Sequence, residues 1–140
     1  MTAVNLNTVR STIEKRLNDE FRTGKNIPLV FNNTPFDASS VDRFIQCVTS
    51  FSANQYLTQG TDSSSANSVN GLILFNIYTA QGVGSGENFD ICKRLRDLYN
   101  RITVSNVIFD APIGPEILTS SPEGKFQTQI RITFTIYEDL

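Results

Sequence analysis

Apolar residues in the first part of the chain recur at Leu6, Val9, Ile13, Leu17 and Phe21, at spacings of three and four. On a helical wheel they form one stripe, with Arg10, Glu14, Lys15, Asn18 and Asp19 elsewhere. The spacing predicts an amphipathic helix over Leu6–Phe21, stopped at Thr23-Gly24-Lys25. The segment that follows, "NIPLVFNNTPFDASS", carries Pro28, Pro35 and turn-forming asparagines. It reads as an extended connector anchored by Leu29, Phe31 and Phe36.

From Arg43 the period changes to two. Arg43–Phe51 alternates well enough for a strand, and Leu72–Thr79 is a stronger one. Ile73, Phe75 and Ile77 share one of its faces and Leu72, Leu74 and Tyr78 the other. Apolar residues on both faces predict a central strand buried on both sides. Between the two strands lies "SANQYLTQGTDSSSANSVNG", with neither helical nor strong strand pattern. A loop this long inside a domain is uncommon, and it reads as a long hairpin running out beyond the domain, with a Ser-rich tip containing Asp62.

Asp90–Ile102 carries the clearest helical arc, made by Ile91, Cys92, Leu95, Leu98, Tyr99 and Ile102. Its opposite face pairs Asp90 with Arg94 and Asp97 with Arg101 at i,i+4, which predicts a solvated, locally compensated surface. Val104–Phe109 and Glu116–Thr119 read as short strands around the "DAPIGP" turn. Phe126–Tyr137 then alternates, apart from Thr128, with Phe126, Ile130, Ile132, Phe134 and Ile136 on the core side. Consecutive strands without crossover helices favour antiparallel pairing. The expected fold is α+β: a single domain over residues 1–140, with a mostly antiparallel sheet of four to five strands, two amphipathic helices packed on it, and the extended hairpin.

Composition narrows the chemistry. The 140-residue chain carries 12 basic and 14 acidic residues, a net charge of −2, so it lacks the concentrated basic face of a nucleic-acid binder. No apolar run approaches the length of a bilayer span and no signal segment opens the chain, which reads as soluble and made in the cytoplasm. The count of zero histidines removes the commonest general base and metal ligand. Cys47 and Cys92 are far apart, and they read as small buried hydrophobes rather than as a disulfide or zinc site. The scattered carboxylates Asp37, Asp42, Asp62, Glu116, Glu123, Glu138 and Asp139 show no spacing that points to a catalytic pair. No cofactor or metal is expected.

The run "LILFNIYTAQGVGSGENFDICKRL" passes from strand through Gly82, Gly84 and Gly86 to a helix start, the order of a phosphate-binding loop. The details fail. Glu87, Asn88 and Phe89 stand where a Walker loop needs Lys and Ser or Thr, and the glycine spacing is not that of a dinucleotide fold. Glycines that let the chain reverse, with Ser85 as helix cap, make a corner. That leaves interaction as the function. Leu72, Leu74 and Tyr78, with Val107 and Phe109 nearby, need a second covering surface, supplied either by a neighbouring subunit or by the connector Leu29–Phe36.

The order of features resembles the phage tail terminator-like proteins over nearly the whole chain. The matching parts are the helix "VRSTIEKRLNDEF", the proline-flanked "IPLVFNNTPFD", the strand, corner and helix of "GLILFNIYTAQGVGSGENFDICKRLRDLY", and the closing strand "GKFQTQIRITFTIYED". The resemblance implies a structural virion protein at the head–tail junction, made in the host cytoplasm. Its copies would form a ring, usually sixfold, on the last ring of tail-tube protein, with sheath as a further partner in a contractile tail. The ring would stop tube polymerisation and dock the head-completion or neck protein. Viral DNA would pass through the lumen without specific binding, and neither catalysis nor membrane contact is implied. The expected interface residues are Tyr56, Leu57, Gln59 and Asp62 on the hairpin and Leu72, Leu74 and Tyr78 on the sheet. The alternatives are a head–tail connector or neck subunit and a monomeric ligand-binding domain.

Overall fold

In a computed structural model of the chain, which describes residues 5–24, 26–32, 36–37, 41–52, 55–56, 66–119 and 124–139, the first stripe forms α1 (Leu6–Leu17). Asn5 caps it: its Oδ1 accepts the N–H groups of Asn7 at 3.0 Å and Thr8 at 3.2 Å. The last part of the predicted helix is a wider π-helical turn, Asn18–Thr23, which keeps Phe21 buried in line with Val9, Ile13 and Leu17.

The strands are β1 (Leu29–Val30), β2 (Phe44–Phe51), β3 (Gln55–Tyr56), β4 (Ala66–Ala80), β5 (Thr103–Val104), β6 (Val107–Phe109), β7 (Ile113–Leu118) and β8 (Lys125–Asp139); α2 (Gly86–Tyr99) follows β4. They form one sheet in the order β1-β2-β4-β8-β6-β5, with β3 beside β4 and β7 beside β8. The fold is α+β as expected, but the sheet has eight strands rather than four or five, and β1 runs parallel to β2. The extra strands β1 and β3 have two residues each, too short for alternation to register, and the expected strand Val104–Phe109 is instead a hairpin of β5 and β6.

Two 15-residue strands, β4 and β8, are the frame. They pair antiparallel from Ala66↔Asp139 to Ala80↔Lys125, and β4 is central as predicted, between β2 and β8. The described base of the hairpin is not bare: Asn67, Ser68 and Val69 are buried, because β8 accompanies β4 along its full length. The tip, with Leu57, Gln59 and Asp62, lies outside the described residues.

One face of the sheet carries the core. Ile45, Cys47, Ile73, Phe75, Ile77, Ile130, Ile132 and Phe134 pack with Val9, Ile13, Leu17 and Phe21 of α1 and its extension and with Ile91, Cys92, Leu95 and Tyr99 of α2. The α2 helix starts at Gly86, earlier than Asp90, because a polar residue faces inward in its first turns. Asn88 is fully buried, and its Nδ2 donates to the Ile77 carbonyl at 3.1 Å and to the Phe126 carbonyl at 3.4 Å. Its Oδ1 accepts from the Thr128 hydroxyl and, at 3.4 Å, from Cys92 Sγ. One amide thus fastens the helix to both long strands, with its polar atoms satisfied.

The helix surface pairs differently from the sequence expectation. Lys93 binds Asp97 at 2.9 Å, Arg94 turns to Glu20 beside α1, and Arg101 lies past the helix end at φ 53, out of reach of an i,i+4 partner. Between the helices, the Tyr99 hydroxyl donates to the Ile13 carbonyl and Arg16 Nε to the Leu98 carbonyl, both at 2.8 Å.

Candidate interaction surface

The opposite face of the sheet is built in rows that cross the strands. They read Phe44–Tyr78–Gln127–Leu118, then Gln46–Asn76–Gln129–Glu116, then Val48–Leu74–Arg131–Ile113, then Ser50–Leu72–Thr133. Strand alternation fixes this: the partners of inward Ile73, Phe75 and Ile77 point in, and everything one residue out of phase points here. Among the described residues no helix packs on this face.

At one end, of the two covers expected, it is the connector that reaches Tyr78. Its ring stacks on Phe44 with centroids 4.4 Å apart, Phe36 from the connector packs on Phe44 at 4.9 Å, and Tyr78 is 8% exposed. Burial pushes the Tyr78 hydroxyl above its ordinary pKa. Among its described residues the connector closes that end only; Leu29 and Phe31 pack on the helix-covered core instead. Leu72 and Leu74 remain half-buried, joined by half-buried Val48, and beyond Arg131 in the same row lies Ile113, which is 59% exposed.

Next to this aliphatic patch runs an amide chain. Gln129 Nε2 and Gln127 Nε2 donate to Asn76 Oδ1 at 2.9 and 3.2 Å, and Asn76 Nδ2 donates to Gln46 Oε1 at 3.1 Å. On its other side lies a trough of about 450 Å³ whose walls include Ser50, Ser52, Asn70, Asp110, Thr133 and Thr135. Thr133 donates to Asp110 at 2.6 Å and Thr135 to Asn70 at 2.9 Å. The face is poor in charge: its four central rows hold Glu116 and Arg131, 4.0 Å apart. Cores of protein interfaces show the same depletion of charged residues.

Elsewhere charges pair, as in Arg10–Glu14, Lys15–Asp19 and Arg43–Glu87, all within 2.9 Å. Arg22 and Arg96 are held by the Leu29 and Gly114 carbonyls. Exposed pairs of this kind add little stability.

Gly82 and Gly84 sit at φ 89 and φ 86, as a strand-to-helix reversal requires. Ser85 occupies the cap position of α2 without a side-chain cap bond, and Glu87 in the first turn engages Arg43. Cys47 and Cys92 are buried thiols, and burial pushes Cys47 up to about 12. Among the described residues no three Cys, Asp or Glu side chains gather as a metal set, and no helix is long and apolar enough to cross a membrane.

Of the interface residues expected from sequence, Leu72, Leu74 and Tyr78 share this face, and Tyr56 lies in β3 opposite Asn67. The sequence reading missed Gln46, Asn76, Gln127, Gln129 and Ile113. The alternation of β8 already put Gln127, Gln129 and Arg131 on one side; the pairing register that aligns them with Asn76 and Gln46 had no local signal.

No family model and no curated protein matches the chain. Among solved structures, 18 chains match. One, a protein designated by an identifier alone, is similar with a TM-score of 0.71 and 13% identity over 96% of both chains. At that identity the likeness shows the fold alone.

Proposed function

We propose that this chain is a structural subunit of a virion, of the phage tail terminator kind. Its copies form a ring, sixfold in this reading, that caps the head-proximal end of a tail tube. The cap ends tube polymerisation and presents the docking face for the neck protein. The reading is carried by the sheet face on which no described helix packs, where Val48, Leu72 and Leu74 form an aliphatic patch between amides and hydroxyls, with Arg131 between Leu74 and exposed Ile113. Covering such a patch against another protein surface removes apolar area from water, at roughly 25 cal/mol per Å². The flanking amides and hydroxyls supply directional bonds that select the partner.

The net charge of −2 agrees with a lumen through which DNA passes without being held, since phosphate affinity grows with the positive charge a surface offers. The pattern-level resemblance of the chain to the tail terminator-like proteins adds the partners: tube protein below, neck protein above, and sheath in a contractile tail.

The test is Leu74→Arg. Leu74 is half-buried on the open face, so the long arginine side chain has room to reach solvent. The variant should keep the wild-type circular dichroism spectrum and melt within a few degrees of it, while losing self-association or tube capping. A variant that assembles and caps like wild type would remove this face from the account.

A further inference from the structure

The sheet treats its edges unequally. At the β1 edge, Arg22 donates to the Leu29 carbonyl at 3.0 Å. Along β2 beyond β1, Asn32 Nδ2 donates to the Thr49 carbonyl at 3.1 Å. At β7, Arg96 caps the Gly114 carbonyl, Pro115 has no N–H, and a register shift separates Ile113 from Glu116. These are ways of closing an edge to strand addition.

The end of β8 is different. Asp110 N–H donates to the Thr133 carbonyl at 3.0 Å, and Ile108 lies opposite Thr135, so the odd-numbered residues of β8 turn their backbone groups toward β6. Residue 106 would come next, opposite Tyr137. There the β5–β6 hairpin turns away through Ser105 and Asn106, both at positive φ (48 and 70). Among the described residues nothing pairs with the outward backbone of Tyr137, whose side chain is 40% exposed. Across the same end of the sheet, the far side of β3 is also unpaired among the described residues.

We propose that copies join here: the outer edge of β8 at Tyr137 in one copy pairs with the outer edge of β3 in the next. The proposal rests on the ring reading and specifies which surfaces close the ring. A second copy is the occupant because the two open edges lie on opposite sides of one three-stranded unit, β3-β4-β8. Joining opposite edges is a head-to-tail contact, which closes into a ring when the rotation fits. Gln55, Ser68 and Tyr137 lie in one cross-strand row, so the junction continues that row from Tyr137 to the neighbour's Gln55. Both β3 and β8 run antiparallel to β4, so in a cyclic ring the new pair is parallel. Main-chain bonds make this contact, as in strand addition generally.

The test compares full-length wild type, Tyr137→Pro and Tyr137→Ala by light scattering and thermal melts. The Tyr137 N–H faces the open edge, so proline there removes no bond to β4 and should leave the folded monomer intact. Tyr137→Pro should abolish rings, and Tyr137→Ala, which keeps the N–H, should retain them. If proline unfolds the chain, Gln55→Cys with Tyr137→Cys replaces it, the native Cys47 and Cys92 being buried. Oxidised rings of that variant should run as covalent multimers on a denaturing gel. Rings that survive Tyr137→Pro, or rings that give no cross-link, overturn the junction and leave the ring reading standing. Wild type that never forms rings, alone or on tubes, overturns both.

Discussion

Replacing Gly71 by alanine tests how tightly the two long strands and β2 are locked together. Gly71 lies in β4 with Phe51 of β2 on one side and Phe134 of β8 on the other. A Cβ there would stand 2.2 Å from Cζ and 2.7 Å from Cε1 of Phe134, and 2.6 Å from the Ser50 carbonyl oxygen. Neither neighbour gives way easily. The Phe134 ring is fully buried, edge-on to Phe51 at 5.8 Å between centroids and 6.4 Å from Phe109. The Ser50 oxygen moves only if the β2–β4 ladder moves with it. Overpacking costs about 1–3 kcal/mol, and contacts this short put the cost at the upper end, about 2–3 kcal/mol. Removing a glycine from a strand interior returns about 0.5–1 kcal/mol. The expected net loss is about 1–2 kcal/mol, or roughly 3–8 °C in Tm for a domain of this size. Urea and thermal unfolding followed by circular dichroism measure it. Phe134→Leu makes room for the new methyl group, so the double variant should be more stable than the sum of the two single losses, by more than about 0.5 kcal/mol. A Gly71→Ala protein as stable as wild type, or strict additivity with Phe134→Leu, would refute the reasoning.

Asn88→Ala should lower stability by about 1–3 kcal/mol in urea titrations, because it removes the buried amide's bonds to the Thr128 hydroxyl and to the Ile77 and Phe126 carbonyls; an unchanged midpoint would mean that the amide is dispensable. Burial raises the pKa of Cys47 from 9.0 to about 12 and that of Tyr99 well above 10.0. Both groups are thus protonated in the fold, and the unfolded chain releases these protons first as pH rises. Stability from these groups should be complete below about pH 9 and fall above it, and urea midpoints rising between pH 9 and 11 would contradict this sign. By the same burial, Cys47 should resist a thiol-reactive dye at pH 8 until the chain is unfolded.

What the sequence made legible followed periodicity. The stripe from Val9 to Phe21 and the alternation of Phe126–Tyr137 each bury enough apolar surface to impose their period. What it hid depended on partners distant along the chain. Asn88 looks like a solvent-facing residue, and its burial follows from carbonyls on β4 and β8 that no local pattern reveals. Gly71 looks like a loop residue; its role comes from Phe134, brought opposite by a register over the full length of two strands. The charge pairs failed for a related reason, since Arg94 finds Glu20 across the helix interface rather than Asp90 on its own turn. On the candidate surface, Leu72 and Leu74 were legible because alternation places them. At Tyr78 alternation alone left open whether a neighbouring subunit or the connector covers the ring; Phe44 of β2 stacks on it and Phe36 of the connector packs on Phe44.

The most direct test of the proposed function is to mix the purified protein with tail tubes and image them by negative stain, with light scattering of the protein alone as reference. A terminator leaves density capping one end of the tubes, and those tubes no longer elongate when tube subunits are added. A protein that stays monomeric, leaves both tube ends bare and lets elongation continue would contradict it.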